Sequence, residues 1–281
     1  MEKKDTMCKY YKENIQFNKI EYKDLDSIKN LQPPGWPDII QDFKKYLINE
    51  FCDPIKVIFN DNTIGIGNSI FFKKSAWIAH VIVDKEYRNR GIGYKIVDFL
   101  LSGIKKKNIK AASLIATELG EPVYKKAGFR VISNYIYLKR KKRWIEKELS
   151  KYIQTYKSIY YDQIADLDIL ISGEYRESLL KKYLDDCLIY IENQTVKGFY
   201  LPSLGEGPIY AANPEVGIEL MKMKYLKTDR AVIPSENKHG IEFLINNGFV
   251  RTNSTGKRMI WGKDINWKPG CFFSRIGGNY G

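Results

Sequence analysis

Arg88, Gly91 and Gly93 stand at the spacing R-x-x-G-x-G within Glu86 to Ile96, EYRNRGIGYKI. The run before them, Trp77 to Val83 (WIAHVIV), reads as a buried strand, and the segment after them reads as a helix. A glycine-rich turn between a strand and a helix start exposes backbone N–H groups at the positive end of the helix dipole, which makes an anion site. Arg88 and Arg90 add charge that pairs with phosphate. The stretch Arg88, Asn89, Arg90, Gly91, Ile92, Gly93, Tyr94 is therefore a candidate pyrophosphate clamp.

Two common phosphate loops do not fit. A dinucleotide fingerprint needs a third glycine where Ile96 stands, and no acid is clearly placed on a strand end about 20 residues later. A Walker A loop, G-x-x-x-x-G-K-[ST], does not occur.

The elements that must position the clamp alternate. Ile15 to Tyr22 reads as a strand, Leu25 to Leu31 as a short helix, and Pro33 to Pro37 (PPGWP) as a break. Asp38 to Phe51 reads as a helix, and Pro54 to Asn60 with Ile64 to Phe72 as a hairpin around Asp61-Asn62-Thr63. After the clamp, Ile96, Val97, Leu100, Leu101 and Ile104 recur at helical spacing, and Lys105 to Lys107 suit the helix end. Ala111 to Ala116 is a short apolar strand. Gly120-Glu121-Pro122 opens a helix that Gly128 ends, and Phe129 to Leu138 is strand-like.

A chain of 281 residues suits two domains, and 44% hydrophobic residues suffice for real cores. No run approaches the ~18 apolar residues of a membrane span, and MEKKDTMCKY has no apolar signal region. The four cysteines, Cys8, Cys52, Cys187 and Cys271, lie far apart, which argues against a zinc site or a disulfide framework. A reduced cytoplasmic setting with no metal is expected. The formal charge of +13 is uneven: residues 1–152 hold 30 of the 46 basic residues against 18 of the 33 acidic ones. The excess lies in the half with the clamp, which suits an anionic cofactor and also nucleic acid; a lysine-rich surface accounts for it equally well. Lys139 to Arg143 is a run of five basic residues, followed by a polar, helical-looking stretch to about Tyr152. This sets the expected division: 1–140, a basic helical linker over 141–156, and 157–281.

The second half echoes the first. Ile159-Tyr160-Tyr161 precedes a helix as Ile20-Glu21-Tyr22 does, Tyr190 to Val196 matches Ile58 to Ile64, and Gly248-Phe249 follows a helix as Gly128-Phe129 does. The counterpart of the clamp, Ala211 to Gly217 (AANPEVG), has no R-x-x-G-x-G. A duplicated fold whose second copy lacks the phosphate loop accounts for this.

The clamp in this context resembles the acyl-CoA motif of the GNAT N-acetyltransferase superfamily, Q/R-x-x-G-x-G/A between a strand and a helix. Leu114 to Phe129 (LIATELGEPVYKKAGF) is similar to a subgroup with a second, GNAT-like C-terminal domain. Its landmarks also occur: Ala165 to Asp168 with Gly173 and Arg176, Gly207 to Ala211, Asn237, and Arg258-Met259 with Gly262. The chain departs from that pattern at Ile115 and Tyr175, where acids are usual. The resemblance implies a mixed α/β (α+β) sheet, two tandem GNAT-like domains, and acetyl transfer from acetyl-CoA to a primary amine by direct attack. It implies that backbone groups of Val81, Ile82 and Val83 meet the pantetheine arm and thioester, that the clamp holds the pyrophosphate, and that Tyr124 is the general acid on the coenzyme sulfur.

The base stays open. His80 has the right pKa class. Strand alternation puts it with Ile78 and Ile82 on one face, opposite Trp77, Ala79, Val81 and Val83, where it packs or touches substrate. Asp84, Glu118 and a water chain are the alternatives, and Trp36 and Thr117 are candidate substrate contacts. The expected partner is a small-molecule amine, with neither membrane nor nucleic acid, in a monomer or homodimer. A non-catalytic acyl-CoA sensor, an aminoacyl-tRNA-dependent transferase, and a modifier of a protein or RNA-associated target are the rival readings.

Overall fold

The computed structural model describes residues 14–142 and 148–281. Its first half runs β1 (Gln16–Lys19), α1 (Ile39–Leu47), β2 (Cys52–Phe59), β3 (Asn62–Phe71), β4 (Ala76–Val83), α2 (Ile92–Lys106), β5 (Ala111–Ala116), α3 (Glu121–Lys126) and β6 (Arg130–Arg140). The rest runs β7 (Ile153–Thr155), α4 (Tyr161–Ser172), β8 (Leu188–Glu192), β9 (Thr195–Tyr200), β10 (Ile209–Ala211), α5 (Pro214–Tyr225), β11 (Arg230–Pro234), α6 (Lys238–Asn246), β12 (Phe249–Gly262) and β13 (Phe272–Ser274). Short helical turns join some of these. No helix among the described residues is long and apolar enough to cross a membrane.

Local chemistry explains the elements around the site. Asp38 caps α1 by accepting a hydrogen bond from the Ile40 N–H at 2.9 Å. Ile39, Phe43 and Tyr46 bury one face of this helix. It stops well before Phe51, because Asn49 folds its side chain back onto the Lys45 carbonyl and β2 already starts at Cys52. The β2–β3 turn is Asn60-Asp61, at φ +47° and +62°, the two left-handed residues that a tight hairpin requires. It lies earlier than the expected Asp61-Asn62-Thr63; Thr63 is already paired with Ile58. Gly67 lets α2 lie close on β3, since a Cβ there would stand 2.8 Å from Ile96 Cγ2.

Two sheets result. One has eight strands in the order β1-β2-β3-β4-β5-β12-β6-β11, and the other has five in the order β13-β10-β9-β8-β7. The long β12 inserts between β5 and β6, with Met259 opposite Leu114 and Thr255 opposite Ile136. On the far side of β6 lies β11, with Val232 opposite Tyr137. The strand order thus crosses the sequence boundary at 141–156. Lys139 and Arg140 of the basic run belong to β6, and the Arg140 guanidinium donates to the Tyr225 carbonyl at 2.6 Å. The stretch expected to be helical holds strand β7 and no helix over 148–156; Arg143 lies outside the described residues.

The two hairpins share details. Asn193-Gln194 has φ +49° and +61°, as Asn60-Asp61 does. Each hairpin shifts register two residues before its turn, at Val57/Ile58 and at Tyr190/Ile191. Gly65 faces Ile96 of α2, and Gly198 faces Val216 and Leu220 of α5.

Candidate active site

β4 and β5 run parallel but pair only at Ala76↔Ala112 and Trp77↔Ser113. Beyond that point the strands part, and the edge of β4 from Ile78 to Val83 has no β5 neighbour. An unpaired parallel edge offers backbone donors and acceptors to an extended ligand.

The clamp follows directly. Asp84 caps the turn by accepting from the Glu86 N–H at 2.8 Å. Arg88 donates through Nε to the Val83 carbonyl at 3.0 Å, pinning the turn to the strand end. Asn89 at φ +60° and Gly91 at φ +80° swing the chain into α2, with Gly91 as its N-cap. The first hydrogen bond back to this turn is from Lys95 N–H to the Gly91 carbonyl, so the Ile92, Gly93 and Tyr94 N–H groups lie at the open helix start. A Cβ on Gly93 would lie 3.8 Å from both Val83 and Val123, so the strand end, the helix start and α3 meet there. Arg90 lies over the Tyr87 ring, and Lys126 of α3 over the Tyr94 ring, at 5.3 and 5.2 Å.

Tyr124 comes from α3. Its ring folds back over Gly120, where a Cβ would approach Cε2 to 2.8 Å, and meets Phe129 edge-on at 6.0 Å. Burial alone pushes the phenol above its ordinary pKa, which keeps it protonated. Thr117 accepts from the Gly120 N–H at 3.3 Å, closing the turn into α3, and Glu118 accepts from Thr255 of β12.

His80 departs from the expected strand pattern. Ala79 pairs with Asn68 and Ile82 with Ile66, so His80 and Val81 together oppose Gly67 in a β-bulge, and His80 sits at φ +49°. The extra residue breaks the alternation. Trp77, Ala79 and Ile82 pack into one core while Ala76 and Ile78, with Val81 and Val83, pack into the other. The expected grouping of Ile78, His80 and Ile82 is therefore wrong. His80 lies on the α1 side, with Phe43 and Tyr46 edge-on at 5.7 and 5.5 Å. Trp36 meets it edge-on at 5.9 Å. Its Nδ1 is 2.8 Å from the Tyr46 hydroxyl, and its Nε2 is 3.3 Å from Asp42 Oδ2. Asn279 donates to the Tyr46 oxygen at 3.0 Å. Sequence reading missed Asp42, Tyr46 and Asn279. The first two carried a signal: they stand four apart on one helix, hence on one face.

The corresponding helix start in the second half is already occupied. Asn213 caps α5 by accepting from the Val216 N–H at 3.0 Å, Pro214 has no N–H, and the Phe273 ring lies against Gly217.

A parallel strand pair parts beside a glycine turn and an open helix start, and the proteins similar to this chain are described as acetyltransferases. Residues 42–144 match the family model described as acetyltransferase (GNAT) domain. The "Uncharacterized N-acetyltransferase YitH" of Bacillus subtilis is 27% identical over 234 residues, covering 76% of this chain and 80% of its own. A structure described as a "Putative Acetyltransferase" from Pyrococcus horikoshii superposes with a TM-score of 0.80 at 22% identity, covering 95% of this chain and 96% of its own. A GCN5-related N-acetyltransferase from Sphaerobacter thermophilus does so with a TM-score of 0.62 at 12% identity, over 90% and 98% of the two chains. The shared fold spans both halves.

Proposed function

We propose that this protein transfers the acetyl group of acetyl-CoA to the primary amine of a small molecule, by direct attack. The observation that carries this reading is the parting of β4 from β5 after Trp77↔Ser113, directly before the Arg88–Tyr94 turn. Under this reading the free backbone of Val81, Ile82 and Val83 holds the pantetheine arm as an added strand would. The N–H groups of the turn, with Arg88 and Arg90, hold the pyrophosphate. The coenzyme supplies an activated acetyl thioester: the amine nitrogen forms the new C–N bond, the C–S bond breaks, and the sulfur leaves. Tyr124, protonated and beside the clamp, gives the sulfur its proton.

The two hairpins with matching turns and register shifts support two GNAT-like halves. The self-capped start of α5 supports a single coenzyme site, in the first half. The test is calorimetric titration with acetyl-CoA, followed by thiol release across a panel of amines. Micromolar binding with amine-dependent thiol release supports the reading. Tight binding without turnover on any amine favours a sensor, and no binding removes both.

A further inference from the structure

We infer that Asp42 receives the substrate's ammonium group and takes its proton, that His80 is the positioning residue behind it, and that the substrate class is an alkylammonium without a neighbouring carboxylate. This rests on the acetyltransferase reading above. The Asp42 carboxylate, with Oδ2 at 3.3 Å from His80 Nε2, can only accept, which puts an imidazole proton on Nε2. On a ring carrying that one proton, Nδ1 accepts from the Tyr46 O–H at 2.8 Å, and the Tyr46 oxygen accepts from the Asn279 amide at 3.0 Å. Both ring nitrogens are then engaged, and no lone pair of His80 is left for a substrate.

Exposure agrees. The His80 side chain is 8% exposed and that of Asp42 is 26% exposed, so the carboxylate is the end of this chain that solvent and substrate reach. Its second oxygen, Oδ1, takes no hydrogen bond from a side chain among the described residues. The fold holds this arrangement at a cost. His80 sits in the left-handed region, which few non-glycine residues adopt, and it does so beside the strand edge where the thioester would lie. The bulge places the ring on the α1 side of the strand, against Phe43, Tyr46 and Asp42.

Trp36 flanks the same pair. This residue is 42% exposed, and its ring stands edge-on to His80 at 5.9 Å. A half-open aromatic beside a carboxylate suits an alkyl arm ending in a cation. A second carboxylate on the substrate would be repelled by Asp42. The chemical step is one proton transfer: an N–H bond of the ammonium breaks, an O–H bond forms on Asp42, and the nitrogen lone pair becomes free to attack.

The test uses the full chain, with n-hexylamine and norleucine as probes of the same carbon length. The wild type is expected to acetylate n-hexylamine at least tenfold better than norleucine. Asp42→Asn, nearly isosteric, is expected to lower kcat/KM for n-hexylamine about 100-fold, with acetyl-CoA affinity within twofold by calorimetry. His80→Gln keeps an N–H toward Asp42 and is expected to retain most of kcat, whereas His80→Leu loses at least tenfold in kcat. An Asp42→Asn protein within threefold of wild type overturns the inference. So does equal use of norleucine, or a wild type that binds acetyl-CoA yet leaves n-hexylamine untouched. Failure to bind acetyl-CoA at all would instead strike the enzymatic reading, and this inference with it.

Discussion

Arg258, on β12, lays its guanidinium between Trp77 and Trp267, 4.6 Å and 4.1 Å from the two ring centroids. Trp77 is also the last residue at which β4 pairs with β5. A residue of the second half therefore braces the vertex of the cleft in the first. Glu174 completes the joint: it accepts from Trp77 Nε1 at 3.0 Å and from Ser75 Oγ at 2.6 Å, and it faces Arg258 at 3.9 Å. Arg258, Trp77, Glu174 and Ser75 are buried, and Trp267 is half-buried. An ion pair at this depth needs its stacking and hydrogen bonds to offset desolvation.

Removing one member should therefore unfold both halves together. Arg258→Ala leaves Glu174 charged in a dry site and opens a gap between two indoles, for a loss of about 3 kcal/mol or more. Arg258→Lys keeps the charge and loses the planar stack, for a smaller loss of about 1–2 kcal/mol. Urea unfolding followed by tryptophan fluorescence and by far-UV circular dichroism checks this. Two separate transitions in the wild type would show that the joint does not couple the halves.

This joint also marks the limit of what the sequence reveals. The strand Trp77 to Val83, the glycine turn and the amphipathic α2 each announce themselves within a few residues, through period and turn chemistry. The insertion of β12 between β5 and β6 does not. It pairs Met259 with Leu114 across more than half the chain, and no local period records such a partner. Arg258-Met259 and Gly262 were visible as landmarks, without the strand pairing that explains them. The bulge at His80 was equally hidden: one extra residue in β4 reverses the faces of Val81 to Val83, and nothing in WIAHVIV marks it. Asp42 and Tyr46 were legible only as neighbours on a helix; their meeting with His80 is tertiary.

Gly91 gives the sharpest test of the clamp. Its φ of +80° is one that aspartate tolerates better than most side chains, so Gly91→Asp should fold. The new carboxylate would stand at the start of α2, where the phosphates are expected. Acetyl-CoA affinity should fall about 100-fold, or about 2.8 kcal/mol, with little change in Tm. Unchanged affinity in calorimetry would sink the clamp.

Tyr124→Phe separates chemistry from binding. The substitution removes one oxygen and leaves the packing against Phe129 in place. Burial holds the phenol protonated, as a proton donor must be. The rate of thiol release should drop about 100-fold, with acetyl-CoA affinity unchanged. A drop of less than threefold would move the acid elsewhere.

Gly120→Ala tests the placement of that ring without touching its oxygen. The added methyl would lie 2.8 Å from Tyr124 Cε2, so the ring must swing or α3 must shift. Overpacking of this kind costs about 1–3 kcal/mol. The expected outcome is a lower kcat with a nearly unchanged KM for acetyl-CoA. Wild-type turnover would mean that the ring position is not critical to the reaction.

Lys224 predicts a pH dependence of stability. Its ammonium lies buried in the second half, donating to the Gly207 carbonyl at 2.8 Å and also to the Glu206 carbonyl and Ser274 Oγ. Burial lowers its pKa from 10.5 to about 7, Glu206 opposes that shift, and Arg275 adds to it. Between these two values the unfolded chain binds more protons than the folded one, so unfolding free energy must rise with pH. The contribution is smallest below about pH 7 and grows above it. Above about pH 9 the buried thiols of Cys52 and Cys187, both pushed up to about 12, act in the opposite sense, so the clean window is pH 7.5 to 8.5. There the slope from Lys224 should be about 1 kcal/mol per pH unit. Urea midpoints across that window measure it, and Lys224→Met should flatten the dependence. A slope that survives the substitution would assign the titration to another group.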